Sequence, residues 1–591
     1  MGRGPTRRVH NGGRMADPLE TVSDLLAPVF ASLAGGPADP VVRHSEHADA
    51  QANGALPVAK ALGRPPRQVA EEVVALAGEA LTRVCSVEIA GPGFLNLRFH
   101  DTFLGSEAAA VSADEQLGLR PVATPETVVV DYSAPNVAKE MHVGHLRTTV
   151  IGDALVRMLE AAGHHVIREN HIGDWGTPFG MLIEHLLDIG EDEATRELSV
   201  GDLDGFYRAA RRAFDADPAF QERARARVVA LQSGDAETLR LWNVLVDEST
   251  RYFDAVYDRL GVLLEPDDLM GESAYNDLLP EVVRRLDTAG LLRISDGAAV
   301  VFPPGFTNRR GQPLPLIVRK SDGGYGYAAT DLATVIDRVE RLGATLLLYV
   351  VGAPQAQHLQ MVWAVAEEAG WLRPPVRAVH VPFGNVLGPD RKMLKSRSGE
   401  SVKLIDLLDE AVQRAEAAIA EKNPELPADE RSAVARIVGI GAVKYADLST
   451  DRIKDYVFDW ERMLSFDGDT APYLQYAHAR ICSIFRRAGI ERATARQRHP
   501  VLGQPEERAL ALRLLGYDAA VADALERYSP HRLTAYLFDL ALDFTAFYEA
   551  CPVLRAPDEE TRDSRLALAD LTARVLAHGL GLLGIDVPER M

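Results

Sequence analysis

Two histidines three residues apart, His142 and His145, flank Gly144 in the run NVAKEMHVGHLR, just after an apolar stretch. Three chemistries suit that spacing. Imidazoles at i and i+3 share a helix face and could hold zinc, although no further ligand cluster with usable spacing stands out. They could be structural histidines. They could also bind phosphate and stabilise charge developing there, with Gly144 giving a nucleotide close access to backbone. A second set lies far along the chain in GPDRKMLKSRSGESVKL (388–404), where Lys392, Lys395, Ser396 and Arg397 share a stretch able to close over a triphosphate. Alone it reads as a solvated basic loop. A near copy of the first motif, NHIGDWG, starts at Asn170 but lacks the second histidine, so His171, Asp174 and Trp175 read as packing and turn residues or as pocket lining.

These groups need a scaffold that brings them together. TVVVDYS (127–133) is a continuous apolar run, the signature of a strand buried on both faces. A Pro-containing loop, a helical stretch ending at Gly163 and the strand HVIREN complete a βαβ unit. HVGH then sits where a strand ends and a helix begins, where open α/β sheets bind ligands and free N–H groups attract phosphate. The segment 179–292 is polar and helical, an insertion. AVVFP, LIVRK, YGYAATDLATVIDRVERLG, TLLLYVVG and VRAVHVPFG alternate strand and helix signals and are predicted to resume the sheet up to Gly384.

The expected fold is multidomain α/β. Residues 1–14 form a disordered tail, or precede a start at Met15, and 15–115 form an N-terminal α+β domain with VEIA and FLNLRF around a Gly-Pro-Gly turn. Residues 124–400 form a doubly wound, Rossmann-like parallel-sheet domain with the helical insertion; 401–457 are a helical connector and 458–591 an all-α C-terminal bundle.

Composition narrows the class. The 591 residues are 47% apolar and 25% charged, and no apolar run is long enough to span a membrane. A net charge of −21 argues against nucleic-acid binding over the whole surface but leaves room for one basic face. Cys85, Cys482 and Cys551 are too few and too scattered for a disulfide framework or thiolate metal site, which points to the cytoplasm. Only nine of the 64 basic residues are lysines, and four of those are Lys139, Lys392, Lys395 and Lys403.

The pair HVGH and KMLKS resembles the two signatures of class I aminoacyl-tRNA synthetases. SAPNVAKEMHVGHLRTTVIGDAL, ENHIGDWGTPFGML, YAATDLA, VVGAPQAQHL, DTAPYLQYAHARI and LGIDVPERM, with QANGALPVAKALG and GPGFLNLRF near the start, resemble the arginyl-tRNA synthetase family over almost the whole chain. That resemblance implies activation of L-arginine with ATP, Mg2+ accompanying the nucleotide, and transfer to tRNA(Arg). It implies that His142, Gly144, His145, Lys395 and Ser396 bind ATP, with Lys139 and Lys392 adding catalytic charge. A guanidinium is a planar, permanent cation and calls for carboxylates. By resemblance Asp131, Asn136, Tyr327, Asp331 and Gln355 bind arginine; Tyr327 would share a helix face with Asp331, which could instead be a helix N-cap. Tyr473 and Tyr476 are implied to meet tRNA bases in an anticodon-binding domain, and the N-terminal domain to touch the tRNA elbow. Leu394 and the Ser-Arg of KMLKSR depart from the family's KMSKS. The expected protein is a cytoplasmic monomer with no metal site of its own. Two other readings remain: an HxGH nucleotidyltransferase or adenylate-forming ligase on a small molecule, which leaves the terminal domains idle, and a non-catalytic synthetase-like RNA-binding protein.

Overall fold

The computed structural model describes residues 17–199, 203–394 and 402–591. The tail 1–14, Lys395 and Ser396 lie outside the described residues. The chain divides into two units, one made from 1–123, 466–581 and 586–591, the other from 124–465 and 582–585.

The first unit begins at Asp17, whose side chain accepts the Leu19 N–H and starts the helix Pro18–Ala34. Four antiparallel strands follow, β1 (Val42–His44), β2 (Ala50–Ala52), β3 (Cys85–Ala90) and β4 (Phe94–Phe99), in the order β1-β2-β4-β3. Gly91 and Gly93, both at positive φ, make the tight turn between β3 and β4. The unit's other regular elements are helices, among the described residues, with long ones at Ala471–Ala488, His531–Ala550 and Glu559–Leu582. Arg508 binds the two halves together, donating to the carboxylates of Asp49 and Asp101 and to the Phe99 carbonyl.

The second unit is built on a parallel sheet of β5 (Thr127–Asp131), β6 (His165–Glu169), β10 (Leu346–Tyr349) and β11 (Arg377–His380), ordered β11-β10-β5-β6. Val128 to Asp131 are all buried, as the unbroken apolar run requires of a strand covered on both faces. The helix Val143–Ala161 crosses from β5 to β6 so closely that a Cβ on Gly152 would lie 2.3 Å from the Tyr132 ring. Among the described residues the insertion is mainly helical, from Pro178–Ile189 to Leu279–Thr288. One sequence expectation fails here. AVVFP and LIVRK do not join the parallel sheet; they form β8 (Ala298–Val301) and β9 (Leu316–Arg319), which with β7 (Arg293–Ser295) make a separate antiparallel sheet. The reason is the connection between them, which contains no helix to carry the chain back across a parallel sheet.

Two further strands, β12 (Val386–Leu387) and β13 (Tyr456–Val457), pair in parallel and bracket the helices Leu404–Lys422 and Ala428–Leu448. Gly439 lets those helices touch: a Cβ there would sit 2.7 Å from the Ala411 carbonyl oxygen. Among the described residues no helix is long and apolar enough to cross a membrane.

Candidate active site

β5 ends at Asp131, and the chain leaves it through a strained loop in which Ser133, Ala134 and Ala138 all take positive φ. Non-glycine residues pay conformational energy there, so the loop is held by its surroundings. The Ser133 hydroxyl meets the Tyr257 hydroxyl at 2.8 Å, and the Ser249 hydroxyl accepts the Ala138 N–H at 2.9 Å. Both partners come from the insertion helix Ala236–Leu260. The loop delivers His142 as the N-cap of the helix Val143–Ala161.

The two imidazoles form a reciprocal cap. His142 Nδ1 accepts the Gly144 N–H at 3.0 Å, and His145 Nδ1 accepts the His142 N–H at 3.0 Å. With both Nδ1 atoms accepting, the proton of each neutral ring belongs on Nε2. Burial pushes His145 down to about 3, helped by His142 and Lys139. His142 is shifted the same way by desolvation, against the opposing pull of Asp204. At neutral pH the helix therefore presents two uncharged N–H donors beside its own free N–H groups, a set suited to phosphate oxygens. Lys139 lies 4.6 Å from the centre of the Tyr207 ring.

The lysine-rich segment is anchored to this point. The chain turns at Gly388, whose N–H donates to the Lys392 carbonyl at 2.7 Å, and Leu394 N–H reaches the Val386 carbonyl. On the far side, Lys403 bridges His142, with Val143 N–H donating to the Val402 carbonyl and Leu404 N–H to the Met141 carbonyl. Lys403 Nζ also donates to Glu140 Oε1 at 2.9 Å. Both ends of the segment are thus fixed by backbone pairing, Lys392 and Met393 stand exposed, and the far end lies against HVGH.

A second group of side chains gathers at the carboxyl ends of the strands. Asp331 lies inside the helix Tyr327–Ile336, whose N-cap is Gly326, so it is not a capping residue. Tyr327, one turn earlier, is 75% exposed. Asp331 Oδ2 accepts from His358 Nε2 at 2.5 Å. Its neighbour in charge is Glu272, which desolvation, Asp174 and Asp331 together push up to about 8. Asp174, also raised by burial, accepts from the Ser273 N–H and hydroxyl at 2.9 and 2.6 Å. A pocket that protonates one carboxyl to relieve two others is poised for an incoming cation. Glu272 had no motif to announce it: it lies in the insertion, and only the fold brings it to Asp331. Asn136 bridges Gly173, whose missing side chain leaves room for it; a Cβ on Gly173 would lie 2.3 Å from Asn136 Oδ1. Gln355 is exposed at the turn between β10 and the helix Ala356–Glu368.

Asp131 does something else. Its Oδ2 accepts from Arg338 at 2.7 Å, while Glu169 Oε2, at the end of β6, accepts from the same guanidinium at 2.6 Å. Arg338 is fully buried, with the Tyr349 ring 5.0 Å away. Asp131 is 5% exposed and one of its two carboxylate oxygens already holds a guanidinium of the protein itself, while Oδ1 has no hydrogen-bond partner among the described residues. His171 and Trp175 of the HIGDWG stretch pack, on Tyr275 and Trp242.

In the other unit, Tyr473 is half-buried, its hydroxyl 3.2 Å from Thr545 and its ring on Phe538. Tyr476 is 39% exposed, with the Arg480 guanidinium 4.8 Å from its ring centre. Of the two, Tyr476 offers an open aromatic face with a cation beside it.

The family model described as tRNA synthetases class I (R), catalytic domain, matches residues 108–460. Arginyl tRNA synthetase N terminal domain matches 20–99, and DALR anticodon binding domain matches 474–591. The chain is 55% identical over 583 residues to an arginine–tRNA ligase of Thermobifida fusca, covering 98% of this chain and 100% of that one. Among solved structures it is similar to an arginyl-tRNA synthetase from Plasmodium falciparum (TM-score 0.80, 26% identity, covering 97% and 99% of the two chains). It is also similar to one from Thermus thermophilus (TM-score 0.78, 28% identity, covering 97% and 100%).

Proposed function

The chain belongs to the arginyl-tRNA synthetase family, and from that premise we propose how its residues divide the work. It is an arginine–tRNA ligase, which activates arginine with ATP and transfers it to tRNA(Arg). In the first step an arginine carboxylate oxygen attacks the α-phosphorus, the bond to the β,γ-phosphates breaks, and pyrophosphate leaves. Little covalent work falls to the protein, so rate comes from positioning and from donors aimed at developing charge. His142 and His145 offer Nε2–H to the phosphate oxygens, and the Gly144 backbone lets the nucleotide approach. Lys139, Lys392 and Lys395 supply positive charge for the leaving pyrophosphate, and Ser396 binds ATP with them. Mg2+ arrives with ATP and is held mainly by phosphate oxygens and water.

The observation that carries the amino-acid assignment is the carboxylate cluster of Asp331 and Glu272 beside Asp174. Asp331 and Glu272 take the guanidinium, Tyr327 closes over it from the start of the same helix, and Asn136 and Gln355 bind the other end of arginine. Tyr476 meets a base of tRNA(Arg), with Tyr473 supporting it. The three cysteines are free and buried, in keeping with a reducing cytoplasm.

The test is ATP–pyrophosphate exchange with arginine and with citrulline, with and without tRNA. Citrulline is neutral where arginine is charged, so it should be rejected strongly, because it brings no cation to the pocket's carboxylates. Comparable use of citrulline would overturn the pocket assignment. Exchange with some other amino acid would retain the phosphate chemistry and reject the specificity.

A further inference from the structure

We propose that His358 is a positioning residue of the arginine pocket: it holds Asp331 by one carboxylate oxygen and serves as the pocket's internal cation until the substrate guanidinium arrives. This rests on the assignment of Asp331 to arginine.

The geometry is specific. His358 lies in the first turn of the helix Ala356–Glu368, three residues after Gln355, and that helix packs against Tyr327–Ile336, which carries Asp331. Nε2 of His358 meets Asp331 Oδ2 at 2.5 Å, with both side chains partly open, 33% and 24% exposed. One carboxylate oxygen is thus taken and its rotamer set, which leaves Oδ1 for a substrate N–H. Exposure matters as well, because a buried ion pair would be closed to a third charge.

Electrostatics give the pair a second role. Besides His358, Asp331 meets the acidic Glu272, from the start of the short helical segment Glu272–Leu278, and Glu272 in turn has Asp174 beside it. An empty pocket therefore concentrates like charge. Glu272 answers this by keeping its proton, and His358 by taking one: its hydrogen bond to Asp331 raises its affinity for protons above the ordinary value of 6.5. When a permanent cation arrives beside Asp331, the proton on His358 becomes a like charge and passes to solvent. Arginine binding is linked to proton release, and affinity rises with pH as His358 discharges. The strength of the pocket for arginine and its tolerance of emptiness then share one side chain.

The experiment uses the full-length chain. Arginine binding is followed by calorimetry at pH 6.5 and 7.5 in two buffers of different ionisation enthalpy, which counts protons released, and arginine KM and kcat are measured in aminoacylation. His358→Gln keeps a neutral donor; His358→Ala removes it. We expect His358→Ala to raise arginine KM about tenfold, the loss of one hydrogen bond to a charged group, with kcat and ATP KM unchanged. His358→Gln should restore KM to within about threefold while releasing fewer protons at pH 6.5 than the parent. The inference is overturned if His358→Ala leaves arginine KM unmoved, or if His358→Gln releases the parental number of protons. It is equally overturned if both variants lose arginine and ATP together with a lower melting temperature, the mark of a merely structural role. Asp331→Asn is the control: if it weakens arginine while the His358 variants do nothing, only this inference falls, and if it too leaves arginine binding intact, the pocket assignment itself falls.

Discussion

Replacing Glu272 with glutamine should flatten the pH dependence of arginine recognition. In the unliganded protein its carboxyl titrates at about 8 rather than the ordinary 4.5, first through desolvation and then through Asp174 and Asp331. A bound guanidinium favours the ionised form, so arginine must displace this proton. With a midpoint at about 8, the ionised fraction rises from about 3% at pH 6.5 to about 75% at pH 8.5, and arginine KM should fall about 25-fold across that range. Glu272→Gln cannot ionise; it should show no such fall and should bind arginine about 10- to 100-fold more weakly at pH 8.5, the worth of one charge-assisted hydrogen bond. Any slope contributed by His358 remains in both enzymes, so the ratio of the two profiles isolates Glu272. Stability carries the same signature. A raised carboxyl stabilises the folded state below pH 4.5, and that contribution is lost as pH rises from 4.5 through about 8, with a ceiling near 5 kcal/mol that solvent screening reduces. Arginine should accordingly raise the melting temperature more at pH 8.5 than at pH 6.5. Parallel KM profiles for parent and Glu272→Gln, or a KM unchanged at pH 8.5, would refute the reasoning.

Two other substitutions probe separate parts of the site. His145→Ala removes an N–H aimed at the phosphates and should lower kcat about 10²- to 10³-fold with little effect on arginine KM; because burial holds this ring down to about 3, the parent should show no His145 limb in kcat between pH 5 and 9. Gly173→Ala would place a Cβ 2.3 Å from Asn136 Oδ1, the movable end of a side chain. Asn136 should swing away, and kcat/KM for arginine should drop about 10- to 100-fold while the melting temperature stays within about 2 °C.

What could be read from sequence follows from how far apart the cooperating residues lie. The βαβ unit was legible because Val128 to Val130 are apolar on both faces and the cap residues of the next helix follow after a single loop. HVGH announced itself for the same reason: the two imidazoles cap one helix and need no distant partner. The misplaced strands carried a usable signal, since LIVR alternates buried and exposed, with Ile317 at 47%, as half-buried antiparallel strands do. Glu272, His358 and Arg338 carried none. Each acquires its meaning from a residue dozens of positions away, Glu272 from Asp331, His358 from Asp331 and Arg338 from Asp131, and a single sequence does not record which carboxylate meets which cation.

Asp131 shows why that distinction matters, and it can be tested. At the end of β5, a carboxylate aimed toward the substrate face of the sheet is the natural place to seek a guanidinium partner, and it has one, from within the chain. Arg338 joins Asp131 to Glu169 and so ties the end of β5, which feeds Asn136 and HVGH, to the end of β6, which feeds His171 and Asp174. Arg338 takes one oxygen of each carboxylate, a single cation between two anions, and the proposed place for free arginine is the more open pair Asp331 and Glu272. Asp131→Asn weakens a buried pair without emptying it, since Glu169 still holds Arg338, and should cost about 3 kcal/mol. The melting temperature should fall by about 5 °C or more while arginine KM in the surviving enzyme stays within about threefold. Asp331→Asn should do the reverse, raising KM and sparing stability, because its partner His358 is about a third open to water. If Asp131→Asn instead raised arginine KM by orders of magnitude at an unchanged melting temperature, the Arg338 pairing would not be the reason for that carboxylate, and the substrate would.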